Sequence, residues 1–256
     1  MVTFEDCVGR ITSKEGVYNS SIDIPIIIAK ELECDKVIKA IIFDIDGTIT
    51  DTNPLFLRSI SQTFREFTGD QKPESFFVFT LGIPSPETLK ALKIPPEVGK
   101  AFVARWQKLI QEGMREVQLF PGVREIIEEL YQEGIKMALV TSKIRSEMSY
   151  QFNQFMLNSF FETIICAEDA PRSKPHPDPL LLALNRLGVK NNESIFVGDS
   201  IYDLQAAKGA LIPFALASWG ALELEKVLEF HPEFVLREPE DIREIVKGKR
   251  DLTSVV

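Results

Sequence analysis

The sequence predicts an α/β protein: a mainly parallel sheet interrupted, after its first strand, by an all-helical insert. Three observations carry this expectation. From Gly122 onward, short apolar runs rich in branched residues alternate with longer amphipathic stretches, the pattern of successive βα units. A further apolar run, Ile41 to Asp44, stands about seventy residues before them. Between the two, apolar residues recur at helical rather than strand spacing.

The elements follow in order. Residues 1–37 fit neither unit and are read as an N-terminal extension of unknown role. Their start carries Glu5 and Asp6 and lacks a basic segment leading into an apolar one, so no secretory signal is expected. Their most apolar run, Ile22 to Ala29, contains Asp23 and Pro25 and is too short to span a bilayer. The first strand lies in Lys39 to Thr52, KAIIFDIDGTITDT. The insert, residues 53–119, reads as helices over PLFLRSISQTFREF, PETLKALK and PEVGKAFVARWQKLIQEGMREV, punctuated by Pro84, Pro86, Pro95 and Pro96. Phe102 and Trp106, at i and i+4, are assigned to its own core. Residues 38–52 and 120–256 form the sheet unit. Its later strands are expected at Lys136–Thr141, Thr163–Ala167, Ser194–Val197, Pro213–Ala217 and Phe234–Leu236. Helices are expected near Val123–Glu133, Arg145–Leu157, Pro179–Leu187, Tyr202–Lys208, Leu222–Glu229 and Glu240–Val246, the first bounded by Pro121 and Gly134.

Composition narrows the function. At 256 residues and 45% hydrophobic content the chain can bury a sizeable core. A formal charge of -9 argues against a nucleic-acid surface, because phosphate backbones are held by clustered basic residues. Cys7, Cys34 and Cys166 are far apart and form no C-x-x-C pair, which argues against a disulfide framework or zinc site and for a reducing, cytoplasmic setting. No membrane association is expected, and the chain is expected to act as a monomer or homodimer.

The chemistry begins with Asp44 and Asp46. Residues i and i+2 on a strand share a face, so two carboxylates there would repel each other; Gly47 breaks the strand and puts the pair where strand becomes loop. Three more strand candidates end in polar residues: Thr141, Ser142 and Lys143 in MALVTSK; Lys174 in the loop APRSKPHPDP; Asp199 and Asp203 in SIFVGDSIYD. Singly each has an ordinary role, a cap for Thr141, Ser142 or Asp199 and a solvated loop lysine for Lys174. Together they would converge on one sheet edge, where carboxylates demand a counter-charge that a hard ion such as magnesium supplies. The hydroxyl and ammonium then suit phosphate oxygens. One aspartate can attack phosphorus while another moves the proton, which is a phosphatase mechanism acting on a small phosphorylated metabolite. Lys143 and Arg145 are the nearest basic candidates for a second anionic group of the substrate.

The stretches DIDGTITDT, LVTSK, SKPHPDP and GDSIYD resemble the four ordered motifs of the haloacid dehalogenase superfamily over roughly Lys39 to Val246. The resemblance implies a Rossmann-like core with a mobile helical cap. It implies Asp44 as nucleophile, Asp46 as general acid/base, Thr141 with Lys174 as phosphate holders, and Asp199 as a magnesium carboxylate. Asp203 would support the metal from behind, and the Asp46 backbone carbonyl would be a ligand. TLGIPSPETL, LFPGVREIIEELYQEGIKMALVTSK and the late SWG are similar to the phosphoglycolate phosphatase and pyrophosphatase-like branch. Gly198 stands where β-phosphoglucomutase-like enzymes carry an acid, and Asp46 is present where dehalogenases and phosphonatases lack one. A phosphomutase is the alternative enzyme; a regulatory or binding protein that keeps the fold is the alternative outside enzymes.

Overall fold

The computed structural model describes residues 38–83 and 85–248; the N-terminal extension, Cys7 and Cys34 lie outside the described residues. The sheet has six strands: β1 (Ala40–Phe43), β2 (Lys136–Val140), β3 (Thr163–Ile165), β4 (Ser194–Gly198), β5 (Phe214–Ala217) and β6 (Phe234–Leu236). All pairings are parallel, in the order β3-β2-β1-β4-β5-β6. A strand with neighbours on both sides and helices over both faces must be apolar on both. In β1, Ile41 and Phe43 face one core while Ala40 and Ile42 face the other.

On the first face lie α4 (Val123–Gln132), α5 (Arg145–Phe152) and α9 (Asp241–Val246), through residues such as Ile127, Phe152 and Ile242. On the second lie α6 (Asp178–Leu187), α7 (Ile201–Ala210) and α8 (Leu224–Leu228), through residues such as Leu180, Leu204 and Val227. The expected helix over Arg145–Leu157 stops at Phe152. A short 3-10 turn, Asn153–Phe155, follows, and Met156 adopts a left-handed φ of 54°. The Phe155 carbonyl is taken instead by the Arg124 guanidinium at 2.7 Å, a partner from α4.

Between β1 and β2 run α1 (Asn53–Thr68), a 3-10 segment Glu74–Thr80, α2 (Ser85–Ala91) and α3 (Pro96–Gly113). Phe64, Phe77 and Phe102 pack together with Leu57 and Ile60 as a separate apolar cluster, so Phe102 is interior to the insert. Trp106 bridges that cluster and a second one formed by Leu55, Ile110, Met114 and Val117. The two chain segments that join insert and sheet are paired: Asp51 N–H donates to the Gln118 carbonyl at 3.0 Å and Phe120 N–H to that of Ile49 at 3.1 Å.

The order of strands reverses at β1, which sits between β2 and β4. In open α/β sheets ligands bind at the carboxyl ends of strands beside such a reversal. Phe43 is in register with Leu139 and Val197, so β1, β2 and β4 end level with one another. No helix among the described residues is long and apolar enough to cross a membrane.

Candidate active site

Asp44 is the first residue past β1 and still donates its backbone N–H to the Val197 carbonyl at 2.9 Å, so its position is fixed by the sheet. The chain then curls round the Ile45 carbonyl, which accepts N–H groups from Thr48, Ile49 and Thr50 at 3.3, 2.8 and 2.9 Å. Gly47, at φ +75°, is needed twice over: a Cβ there would stand 2.2 Å from Asp199 Oδ2. The Ser218–Trp219–Gly220 stretch clamps this loop. The Trp219 indole N–H donates to the Thr48 carbonyl at 2.9 Å, and Asn53 Nδ2 to that of Gly220 at 3.1 Å. A Cβ on Gly220 would lie 1.8 Å from the Gly47 carbonyl oxygen.

Lys174 is buried, 4% exposed, and its Nζ sits 2.8 Å from Asp44 Oδ1 and 2.6 Å from Asp203 Oδ1. It is a site residue and not a solvated loop lysine. Asp203, fully buried, also accepts from the Ser200 N–H at 3.1 Å and its hydroxyl at 2.5 Å, while Ser200 Oγ accepts from the Asp203 N–H. Ser200 therefore caps α7, which frees Asp199 from that role. One carboxylate oxygen from each of Asp44, Asp199 and Asp203 lies within 4.8 Å of the other two. Asp46 is held apart from them, with Lys143 Nζ 2.6 and 2.5 Å from its two oxygens and Thr52 Oγ1 donating at 2.6 Å. The Lys143 ammonium also lies 4.6 Å over the Phe56 ring, in the first turn of α1.

Burial pushes the Asp44 carboxyl up to about 7; Lys174 opposes the rise, and the charges of Asp203 and Asp46 add to it. Burial, then Asp203 and Asp44, push Asp199 well above the usual carboxylate range. For Lys174, burial alone would lower the pKa, but Asp203 and Asp44 outweigh it and drive it upward. Buried carboxylates outnumber the ammonium between them, so the cluster takes up either protons or a cation.

Asp44, Asp46, Ser142, Lys143, Lys174 and Asp199 line one cavity of about 160 Å³. Residues of the insert, among them Phe56, Thr80, Ile83 and Trp106, line it too. Thr141 lies buried behind Ser142, its hydroxyl accepting from the Lys143 N–H at 3.2 Å; neither residue caps α5, where Glu147 accepts from the Ile144 N–H. Arg145 departs from the expectation. Its guanidinium pairs with Asp169, its backbone N–H with Glu168, and it does not line the cavity, because these two acids draw the first residue of α5 outward. Of the two basic candidates only Lys143 lines the cavity.

Sequence reasoning missed the supporting residues. Thr52 stands inside the DIDGTITDT stretch and Gly220 inside SWG, so both lay in quoted motifs without an assigned contact. Trp106, assigned by its spacing to the insert's core, also lines the cavity, and Tyr202 lay inside GDSIYD without an assigned role; Phe56, Gln107 and Gln151 gave no local signal.

A parallel sheet covered by helices on both faces, with these carboxylates and lysines at its switch point, defines a hydrolase of the haloacid dehalogenase type. The chain belongs to the haloacid dehalogenase-like hydrolase family, whose model matches residues 41–217. Among particular relatives, it is 32% identical over 213 residues to the pyrophosphatase PpaX of Halalkalibacterium halodurans, covering 83% of this chain and 98% of that protein. Among solved structures, a Lactobacillus plantarum protein provisionally named phosphoglycolate phosphatase superposes with a TM-score of 0.74 at 26% identity, over 82% of this chain and 99% of that one. A Thermotoga maritima protein provisionally named β-phosphoglucomutase superposes at 0.65 and 27%, over 82% and 98%.

Proposed function

We propose that this chain is a magnesium-dependent phosphohydrolase that removes phosphate from a small phosphorylated metabolite, a monoester such as phosphoglycolate or an anhydride such as pyrophosphate. The observation that carries the reading is the Asp44–Lys174–Asp203 chain beside Asp199, opening on a cavity of about 160 Å³. That volume is well under the roughly 300–1,000 Å³ of sites for larger ligands.

The donor set fits magnesium: carboxylate oxygens within 4.8 Å, raised pKa values for want of a counter-charge, and a loop kept free of side chain at Gly47. Asp44, Asp199 and the Asp46 backbone carbonyl would hold it, with Asp203 behind them. Bound there, the ion neutralises phosphoryl oxygens and favours the ionised forms of Asp44 and Asp199.

An Asp44 oxygen attacks phosphorus as the bond to the leaving oxygen breaks, giving an aspartyl phosphate. Asp46 donates the proton that the leaving oxygen takes. It then removes a proton from water, which attacks the aspartyl phosphate and releases inorganic phosphate. Lys174 and Ser142, with Thr141 behind, hold the phosphoryl oxygens. Thr52 and Lys143 orient Asp46. Residues 53–119 act as a cap that shuts water from the site until reaction is set up.

Asp44→Asn tests the assignment, since the amide keeps the shape and loses the nucleophile. Phosphate release from a panel of small phosphate compounds, with and without magnesium, is expected to fall by at least about a thousandfold in the variant. A phosphoryl adduct on Asp44 should be trapped in the parent enzyme by acid quench. Substantial turnover by Asp44→Asn would refute the mechanism. Hydrolysis is favoured over mutase chemistry by Gly198: a Cβ there would meet Asp203 Cβ and Cγ at 2.7 Å, leaving no room for an acidic side chain. Conversion of β-glucose 1-phosphate to glucose 6-phosphate, primed by the 1,6-bisphosphate and without free phosphate, would reverse that preference.

A further inference from the structure

Buried side-chain donors and acceptors are nearly always hydrogen-bonded, because one left bare forfeits the bonds it made to water. Among the described residues three such atoms lack a partner: Trp106 Nε1, Ser142 Oγ and Gln151 Oε1. All three residues line the cavity above Asp44, although they come from α3, from the loop after β2 and from α5. Three unsatisfied groups from separate elements meeting at one cavity point to a missing partner that enters it. Ser142 belongs to the phosphoryl end. Trp106 and Gln151 belong to the wall where insert and sheet unit meet, closed by a Gln107–Glu147 hydrogen bond of 2.9 Å between α3 and α5.

The Trp106 ring is accounted for by packing between the two apolar clusters of the insert; its N–H is not. Gln151 is anchored through Nε2 to the Tyr150 hydroxyl at 3.0 Å, which leaves its other amide atom to act on something else. Water does not reach either atom while the Gln107–Glu147 hydrogen bond closes the wall, so a partner meets them as that wall shifts to admit the substrate.

Granting the phosphohydrolase reading above, we infer that Trp106 and Gln151 bind the leaving group: the indole N–H donates to one of its oxygens, and the Gln151 amide, turned over so that Oε1 accepts from the Tyr150 hydroxyl, donates Nε2–H to a second. The substrate class is therefore a small phosphate compound whose leaving group carries an oxygen function near the bridging oxygen. The terminal phosphate of pyrophosphate and the carboxylate of 2-phosphoglycolate both offer one. A plain aryl ester offers none.

Trp106→Phe keeps most of the ring and removes the donor; Gln151→Met keeps length and removes the amide. Steady-state rates are compared on pyrophosphate, 2-phosphoglycolate and phenyl phosphate, with the thermal midpoint of each variant as a folding control. For whichever oxygen-bearing substrate the parent enzyme turns over, each variant should lose about tenfold in kcat/KM, chiefly through KM. On phenyl phosphate both should stay within about twofold of the parent. Equal losses on all substrates would assign the two residues to packing and overturn the inference, as would no loss on any. A parent enzyme that hydrolyses phenyl phosphate but neither of the others overturns the inference and spares the phosphohydrolase reading; one that hydrolyses none overturns both.

Discussion

At the scale of single residues, the site is governed by close approach as much as by charge. Gly220 and Gly134 separate two reasons for a glycine. Gly134 has a φ of +76° and nothing within 4 Å of an added Cβ, so substitution there meets only backbone strain. Gly220 is not in the left-handed region, yet its Cβ would fall 1.8 Å from the Gly47 carbonyl oxygen, and a backbone atom in the loop after Asp44 cannot yield as a side-chain tip can. Gly134→Ala should cost about 1 kcal/mol. Gly220→Ala should cost about 2–3 kcal/mol and lower activity with it, since the clash displaces the loop that carries Asp46. Urea titrations of the two variants give the comparison; an equal cost, or full activity in Gly220→Ala, would count against the clamp. The residues legible in the sequence were those whose chemistry is intrinsic: carboxylates at strand ends, a lysine among prolines, a glycine after an aspartate. Lys143, two residues before α5, reaches Asp46, whereas Arg145 at the helix start is held by Asp169 and Glu168, a difference of partners that the sequence does not display.

At the scale of elements, the insert is tied to the sheet unit by two linkers that are hydrogen-bonded to each other, Asp51 to Gln118 and Phe120 to Ile49. A paired strap bends as one piece, so motion of the insert is expected as a hinge about it and not as independent fraying of two loops. Thr52 and Phe56 stand just beyond the strap and touch Asp46 and Lys143, which couples the insert's position to that pair. Nitroxide labels at exposed Lys100 on α3 and Gln132 on α4 should therefore give a broad distance distribution without ligand. Magnesium with a phosphate analogue should narrow it to the closed separation. An unchanged distribution would rule out gating by the insert. The helices of the insert were readable because apolar residues recur every three to four positions. The 3-10 segment Glu74–Thr80 was not, because its aromatic run ESFFVFT has no helical period and is held by the packing of Phe77 among Phe64 and its neighbours.

For the whole molecule, the acidic cluster links stability to pH and to magnesium. The Asp44 carboxyl is raised from 3.8 to about 7, so in the metal-free protein the folded state holds a proton that the unfolded chain has already lost. That contribution is fully present below about pH 4 and is lost as pH rises to about 7. Metal-free protein should accordingly melt at a lower temperature near pH 7 than near pH 5. Millimolar magnesium should raise the melting temperature more at the higher pH, where it replaces the proton; a magnesium effect that is flat with pH would sink this account. By itself the sequence determined the parallel α/β class, the place of the helical insert and the carboxylates and lysines at the strand ends, because periodicity and strand-ending motifs are local and act through backbone propensity. Only the tertiary structure decided that Lys174 joins Asp44 to Asp203, that Lys143 pairs with Asp46 across 97 residues, that Trp219 reaches back 171 residues to the Thr48 carbonyl, and that Trp106 borders the cavity. Which partner a side chain meets is set by packing between segments distant in the chain, and no local pattern encodes it.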